Sequence, residues 1–130
     1  SRFSGPIATV RVFEDNVLVK EALQTVAEGT VLVVDGAGSR KSGLMGDILG
    51  EIAQERKLAG VIINGLIRDS AELNEQEIGI RALGTIPLKS VKRGEGDRDV
   101  VLTFGGIKWT PGHYAYADED GIVVCERTLV

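Results

Sequence analysis

Two short runs constrain this chain most: residues 30–35 (Thr-Val-Leu-Val-Val-Asp) and 59–64 (Ala-Gly-Val-Ile-Ile-Asn). Each is a nearly unbroken apolar and β-branched stretch, the pattern of a strand buried on both faces. Between them Ile48, Leu49, Ile52 and Ala53 share one face of a helix from about Gly46 to Lys57. Strand, helix and strand within about 35 residues make a βαβ unit, whose two strands run parallel.

The flanks extend this unit. Residues 6–13 alternate and read as a strand, and a helix begins at Asp15. Leu18, Val19, Ala22, Leu23, Val26 and Ala27 lie on one face of that helix, and Gly29 is its natural stop. A short polar helix is expected over Asp69 to Glu75, then a strand over 78–86. Residues 99–125 change character. Short strands at 100–104, 107–109, 114–117 and 122–125 are separated by Gly105-Gly106, Pro111-Gly112 and Asp118 to Gly121, a β-meander pattern. The expected architecture is α/β, with a parallel βαβ layer packed on a more antiparallel β layer. A length of 130 residues fits one domain over 1–130.

Composition excludes some functions. A formal net charge of −4 argues against direct nucleic-acid binding, which needs a basic footprint. The most basic stretch, Lys89 to Arg98, is interleaved with Glu95 and Asp97 and reads as a solvated loop. No apolar run reaches the length of a membrane span. Cys125 is the only cysteine, so an intrachain disulfide cannot form and a cytoplasmic setting is expected; its apolar surroundings suggest a buried, inert thiol. The opening residues are no signal peptide and lack an initiator Met, so the sequence is expected to begin inside a longer one.

In α/β layers, ligands bind beyond the carboxyl ends of parallel strands. Two such ends occur here: the loop after Asp35 that leads into Gly46-Asp47, and Gly65-Leu66-Ile67-Arg68-Asp69. Neighbouring parallel strands would bring Asp47, Arg68 and Asp69 together. The first amides of the helix at Gly46 form an anion site, and Gly46 itself permits close approach. Arg68 offers a planar fork for a carboxylate or an enolate oxygen. Asp47 and Asp69 offer hard oxygen ligands for Mg²⁺ or Mn²⁺. Such a set suits a 2-oxo acid. Two structural readings compete with it: Asp47 as a carboxylate favourable at a helix start, and Asp69 as the cap of the next helix.

Other signals are weaker. Gly36-Ala37-Gly38-Ser39 follows a strand like a methyltransferase or dinucleotide loop, but Lys41 stands where a third glycine belongs. Lys41-Ser42 lacks the glycine spacing of a phosphate-binding loop. His113 reads as a surface or strand-edge residue, and Trp109, Tyr114 and Tyr116 as packing residues.

The segments 32–36, Gly46-Asp47, 65–69, 79–87, Phe104-Gly105-Gly106 and 116–121 together resemble the regulator of ribonuclease activity A family, in order and over nearly the whole chain. The resemblance implies the swivelling β/β/α fold, an assembly as a homotrimer or a pair of trimers, and a family N-terminal segment missing from this sequence. It implies one of two functions. Some members bind and inhibit an endoribonuclease of the RNA degradosome. Others are divalent-metal aldolases that cleave 4-hydroxy-4-methyl-2-oxoglutarate to pyruvate and decarboxylate oxaloacetate. The aldolase motif is Asp, 20 residues, Arg-Asp, and Asp47, Arg68 and Asp69 match it. The substrate loop then maps onto Gly46, Asp47, Ile48 and Leu49, the carbonyl-binding arginine onto Arg68 and the metal aspartate onto Asp69. Asp47 would orient the water that acts as base. Aldolase members also take an acidic metal ligand from a longer C-terminal segment of a neighbouring subunit. This sequence stops at Val130, which leaves open whether Glu119, Asp120 or a residue missing from this sequence takes that place.

Overall fold

The computed structural model describes residues 2–68, 78–86, 90 and 92–127. Its elements are β1 (Phe3–Arg11), α1 (Val17–Thr25), β2 (Val31–Asp35), α2 (Asp47–Glu55), β3 (Gly60–Asn64), β4 (Leu66–Ile67), β5 (Gly79–Arg81), β6 (Gly84–Thr85), β7 (Asp97–Arg98), β8 (Leu102–Phe104), β9 (Ile107–Trp109), β10 (Tyr114–Asp118) and β11 (Gly121–Cys125). The main sheet runs β11-β10-β1-β2-β3-β5, with β7 also paired to β1. β1, β2, β3 and β5 are mutually parallel, whereas β10 and β7 run antiparallel to β1.

Alternation along the central strands explains the layering. Leu32, Val34, Val61 and Ile63 point to one face and pack on Val19, Ala22 and Leu23 of α1 and on Leu49 and Ala53 of α2. Val31, Val33 and Ile62 point to the other and pack on Leu102 and Trp109 of the β8–β9 hairpin. Both sets are buried, so the two apolar runs are indeed covered on both faces, and the layers are β/β/α. Trp109 stacks on Phe104 with ring centroids 4.9 Å apart. Phe3 reaches across from β1 to lie flat on the backbone of β3 and β5: a Cβ on Gly60 or on Gly79 would come within 2.3 Å of its ring. The Arg81 guanidinium sits 5.9 Å from the same ring.

Several expectations need correction. α1 starts at Val17 and ends at Thr25, short of Gly29, because Val26 turns to an extended conformation. The single strand expected over 78–86 is two. β5 pairs with β3, then the chain steps sideways and β6 pairs with β4, fixed by Leu83 N–H to Gly65 O (2.9 Å) and Ile86 N–H to Ile67 O (2.9 Å). The meander is also divided: β8 and β9 form their own hairpin, while β10 and β11 join the main sheet beside β1. Cys125 is half-buried on the edge strand β11 rather than fully buried. The helix expected over Asp69 to Glu75 lies outside the described residues. Among the described residues no helix is long and apolar enough to cross a membrane.

Candidate functional site

β2 and β3 are paired in register, so Asp35 and Asn64 stand side by side at their carboxyl ends. Asn64 Nδ2 donates to Asp35 Oδ1 at 3.0 Å. The Asn64 carbonyl accepts the N–H groups of Gly36 (3.0 Å) and Gly38 (3.1 Å), and Asp35 Oδ1 accepts that of Ala37 at 2.9 Å. Ser39 N–H is taken by Gly36 O at 3.1 Å. The four amides of this glycine loop are therefore taken up by Asp35, Gly36 and Asn64 and are not offered to a phosphate or cofactor.

The chain then lies along β4. Leu44 N–H donates to Leu66 O (2.8 Å), and Arg68 N–H donates to Met45 O (2.7 Å). The fit is tight, since a Cβ on Gly43 would stand 2.6 Å from Arg68 Cγ. A Cβ on Gly46 would stand 3.5 Å from Arg68 Cβ and 3.8 Å from Nη1, so the bare face of Gly46 looks toward the Arg68 side chain. Gly46 is also the N-cap of α2. The first backbone bond of the helix runs from Gly50 N–H to Gly46 O at 2.9 Å, and Gly46 has no side chain with which to cap this end. The amides of Asp47, Ile48 and Leu49 thus precede the helical ladder, at the positive end of the helix dipole.

These groups meet in one cavity of about 620 Å³, lined by Gly46, Asp47, Ile48, Leu49 and Arg68 together with Gly43 and Met45. Arg68 Nε is buried and has no hydrogen-bond partner among the described residues. A buried donor left unpaired is costly, and an anionic ligand in the cavity would satisfy it. Asp69, the residue expected to hold a metal, lies outside the described residues. No group of three or more His, Cys, Asp or Glu side chains able to hold a metal occurs among the described residues. Glu119 and Asp120 lie in the β10–β11 turn. Because Phe3 pairs with Ala117, that turn is at the amino-terminal end of β1, the rim opposite the cavity. Glu119 is ion-paired there with Arg2 at 3.5 Å. Within one chain neither acid reaches the site.

Sequence reasoning missed a second wall. Asn16, Lys20 and Gln24 line the cavity, as do Glu21, Ser90 and Lys92. The first three are spaced i, i+4 and i+8, a polar stripe that was visible but unassigned. Lys92 belongs to the stretch read as a solvated loop, and residues 92–97 are indeed exposed; its Nζ nevertheless donates to Asn16 Oδ1 at 3.1 Å. Ser90 Oγ donates to Gly43 O at 2.8 Å. The loop is anchored by Asp15, which is buried beside it. Burial alone would raise the Asp15 pKa, but backbone N–H donors from Val17, Glu95, Arg93 and Gly94 outweigh it and hold the carboxyl below its ordinary 3.8. Among the described residues the cavity carries three cationic side chains (Lys20, Arg68 and Lys92) against two carboxylates, Glu21 and Asp47. His113 lies away from this wall, in a turn whose carbonyl accepts Ile7 N–H at 2.7 Å.

A layered β/β/α protein with a cavity where its parallel strands end is the class that the fold defines. The chain belongs to the RraA-like family, described as Aldolase/RraA, whose model matches residues 1–124. A Bacillus cereus protein named "Putative 4-hydroxy-4-methyl-2-oxoglutarate aldolase" is 59% identical over 128 residues, 98% of this chain and 80% of the relative. One of the same name from Aromatoleum aromaticum is 52% identical over 128 residues, with the same coverage. Among solved structures, a Geobacillus kaustophilus protein named S-adenosylmethionine:2-dimethylmenaquinone methyltransferase is 66% identical with a TM-score of 0.97, covering 98% of this chain and 80% of that one. The RNA-processing inhibitor RraA from Thermus thermophilis is 43% identical with a TM-score of 0.96, covering 99% and 79%. The names of these similar proteins point to three different activities.

Proposed function

We propose that this chain is a divalent-metal-dependent lyase. It cleaves 4-hydroxy-4-methyl-2-oxoglutarate to pyruvate and decarboxylates oxaloacetate, as a cytoplasmic homotrimer or pair of trimers. The observation that carries the reading is the meeting of the first turn of α2 with the Arg68 side chain in one cavity. The substrate's 1-carboxylate takes the amides of the Gly46–Leu49 turn. Arg68 faces the 2-oxo oxygen and stabilises the negative charge that gathers there as the carbon–carbon bond breaks. Asp47 orients the water that accepts the proton of the substrate hydroxyl in the aldol cleavage; oxaloacetate loses CO₂ through the same enolate and needs no such base. Lys20 and Lys92 balance the carboxylate at the substrate's far end. Asp69 is assigned to the metal, and the carboxylates on the cavity wall, Asp47 and Glu21, are hard oxygen donors that suit Mg²⁺ or Mn²⁺. When bound, such an ion supplies Lewis-acid polarisation of the 2-oxo acid.

The methyltransferase name of the Geobacillus neighbour finds little support in the glycine loop, whose amides are bonded internally. A second reading, inhibition of an endoribonuclease, is favoured by the TM-score of 0.96 to the Thermus inhibitor and needs no chemistry at the cavity. One assay separates the two: pyruvate release from oxaloacetate with added Mg²⁺ or Mn²⁺, with and without chelator. Chelator-sensitive release is expected. No release at any metal concentration, from protein that binds a ribonuclease scaffold, would replace the lyase by the regulator.

A further inference from the structure

Asp15 takes no part in the chemistry above, yet it is a charged residue only 2% exposed, set directly behind the second wall of the cavity. Its Oδ1 accepts Val17 N–H at 3.0 Å, at the start of α1. Its Oδ2 accepts Arg93 N–H at 2.9 Å and Glu95 N–H at 3.2 Å, across 78 and 80 residues of sequence. The adjoining residues complete the joint with their side chains, because Lys92 Nζ donates to Asn16 Oδ1. Asn16 and Lys92 both line the cavity. The next tie along the chain is the two-residue β7 ladder, Arg98 to Val10 and Asp97 to Arg11. In between, Gly94 and Gly96 adopt positive φ of 79° and 141°, so this stretch has no regular structure of its own to hold Lys92 in place.

We propose that Asp15 is a positioning residue for substrate selection: it clamps the 92–95 loop to the start of α1, holds Lys92 over the cavity, and so favours dianionic over monoanionic 2-oxo acids. The inference rests on the reading of the cavity as a 2-oxo acid site. A carboxylate suits the role because backbone N–H donors approach both of its oxygens. An asparagine keeps the size but must turn an NH₂ group toward one set of those donors.

The test uses the full chain with Mg²⁺ and compares Asp15→Asn with Lys92→Ala. Three quantities are measured: KM and kcat for oxaloacetate decarboxylation, the inhibition constant of pyruvate (a monocarboxylate) in the same assay, and hydrogen exchange at the Arg93 and Glu95 amides. Asp15→Asn is expected to raise the oxaloacetate KM on the order of tenfold, the scale of one lost charged contact, while pyruvate inhibition stays within about twofold. Exchange at the two amides quickens by about tenfold or more. Lys92→Ala raises KM to a similar degree, and the double variant adds little further. A parallel rise of oxaloacetate KM and pyruvate inhibition constant in Asp15→Asn overturns the selective role. Native kinetics in Asp15→Asn beside a raised KM in Lys92→Ala overturns the clamp but leaves the 2-oxo acid site standing. Absence of pyruvate release from the native protein overturns the site reading, and this inference with it.

Discussion

Gly43 and Arg68 touch with no space between them: a methyl group on Gly43 would lie 2.6 Å from Arg68 Cγ and 3.0 Å from Arg68 N. The loop before α2 is thereby laid on β4, just before Arg68, whose side chain lines the cavity. In Gly43→Ala a rotamer change of Arg68 could move its Cγ but not the backbone atoms Arg68 N and Ile67 C, which the methyl group meets at 3.0 and 3.1 Å. The expected cost is about 1–3 kcal/mol of stability, typical of overpacking, with kcat reduced beyond what the lost folded fraction explains. Urea unfolding and oxaloacetate decarboxylation on the same samples check both parts.

A second close approach lies at the other end of the sheet. Phe3 lies flat on Gly60 and Gly79, so Gly60→Ala pushes a methyl group into the ring. A loss of about 1–3 kcal/mol is expected. Because the conflict is with one ring, the Gly60→Ala, Phe3→Ala double variant should cost less than the sum of the two single variants. A double-variant cycle by urea unfolding measures the coupling, and strict additivity would contradict the packing described.

The Asp15 carboxyl titrates below its ordinary 3.8 in the folded protein, since its backbone N–H donors outweigh burial. A depressed folded pKa contributes stability above the unfolded value, and that contribution is lost as pH falls through the folded value. The stability gap between the native protein and Asp15→Asn is therefore constant above about pH 5 and narrows below about pH 4. Urea unfolding across this range reads it directly. A gap that widens on acidification would reverse the sign assigned here.

Removal of divalent cations by a chelator should abolish pyruvate formation, and either Mg²⁺ or Mn²⁺ should restore it. Asp69→Ala should weaken the apparent metal affinity by about tenfold or more, as for a lost or mispositioned ligand. Titration of activity with Mg²⁺ distinguishes this from a loss of kcat alone.

Much of this was legible in the sequence, for identifiable reasons. Residues 31–35 and 60–64 could only be central strands because every side chain is apolar up to the final Asp35 and Asn64, and parallel pairing then brings the start of α2 to the turn before Arg68. Local patterns failed where contacts are long-range. The strand over 78–86 divides because residues after Arg81 leave β3 for β4, a change of partner that no alternation records. Lys92 is exposed as read, but its anchors, Asp15 and Asn16, are more than 70 residues away and leave no trace in the local pattern. The stripe of Asn16, Lys20 and Gln24 was readable, but that it shares a cavity with the start of α2 and Arg68 is a tertiary fact that no local pattern records.

The central claim is that Arg68 carries the charge that develops on the substrate's 2-oxo oxygen, and kcat/KM for oxaloacetate decarboxylation by Arg68→Ala in Mg²⁺ tests it most directly. A fall of about 10²–10³ is expected, the usual loss for an oxyanion donor, with an unfolding midpoint close to that of the native protein. Arg68→Lys should recover only part of the loss, because it restores the charge without the planar fork. Native kcat/KM in a well-folded Arg68→Ala protein would contradict the account.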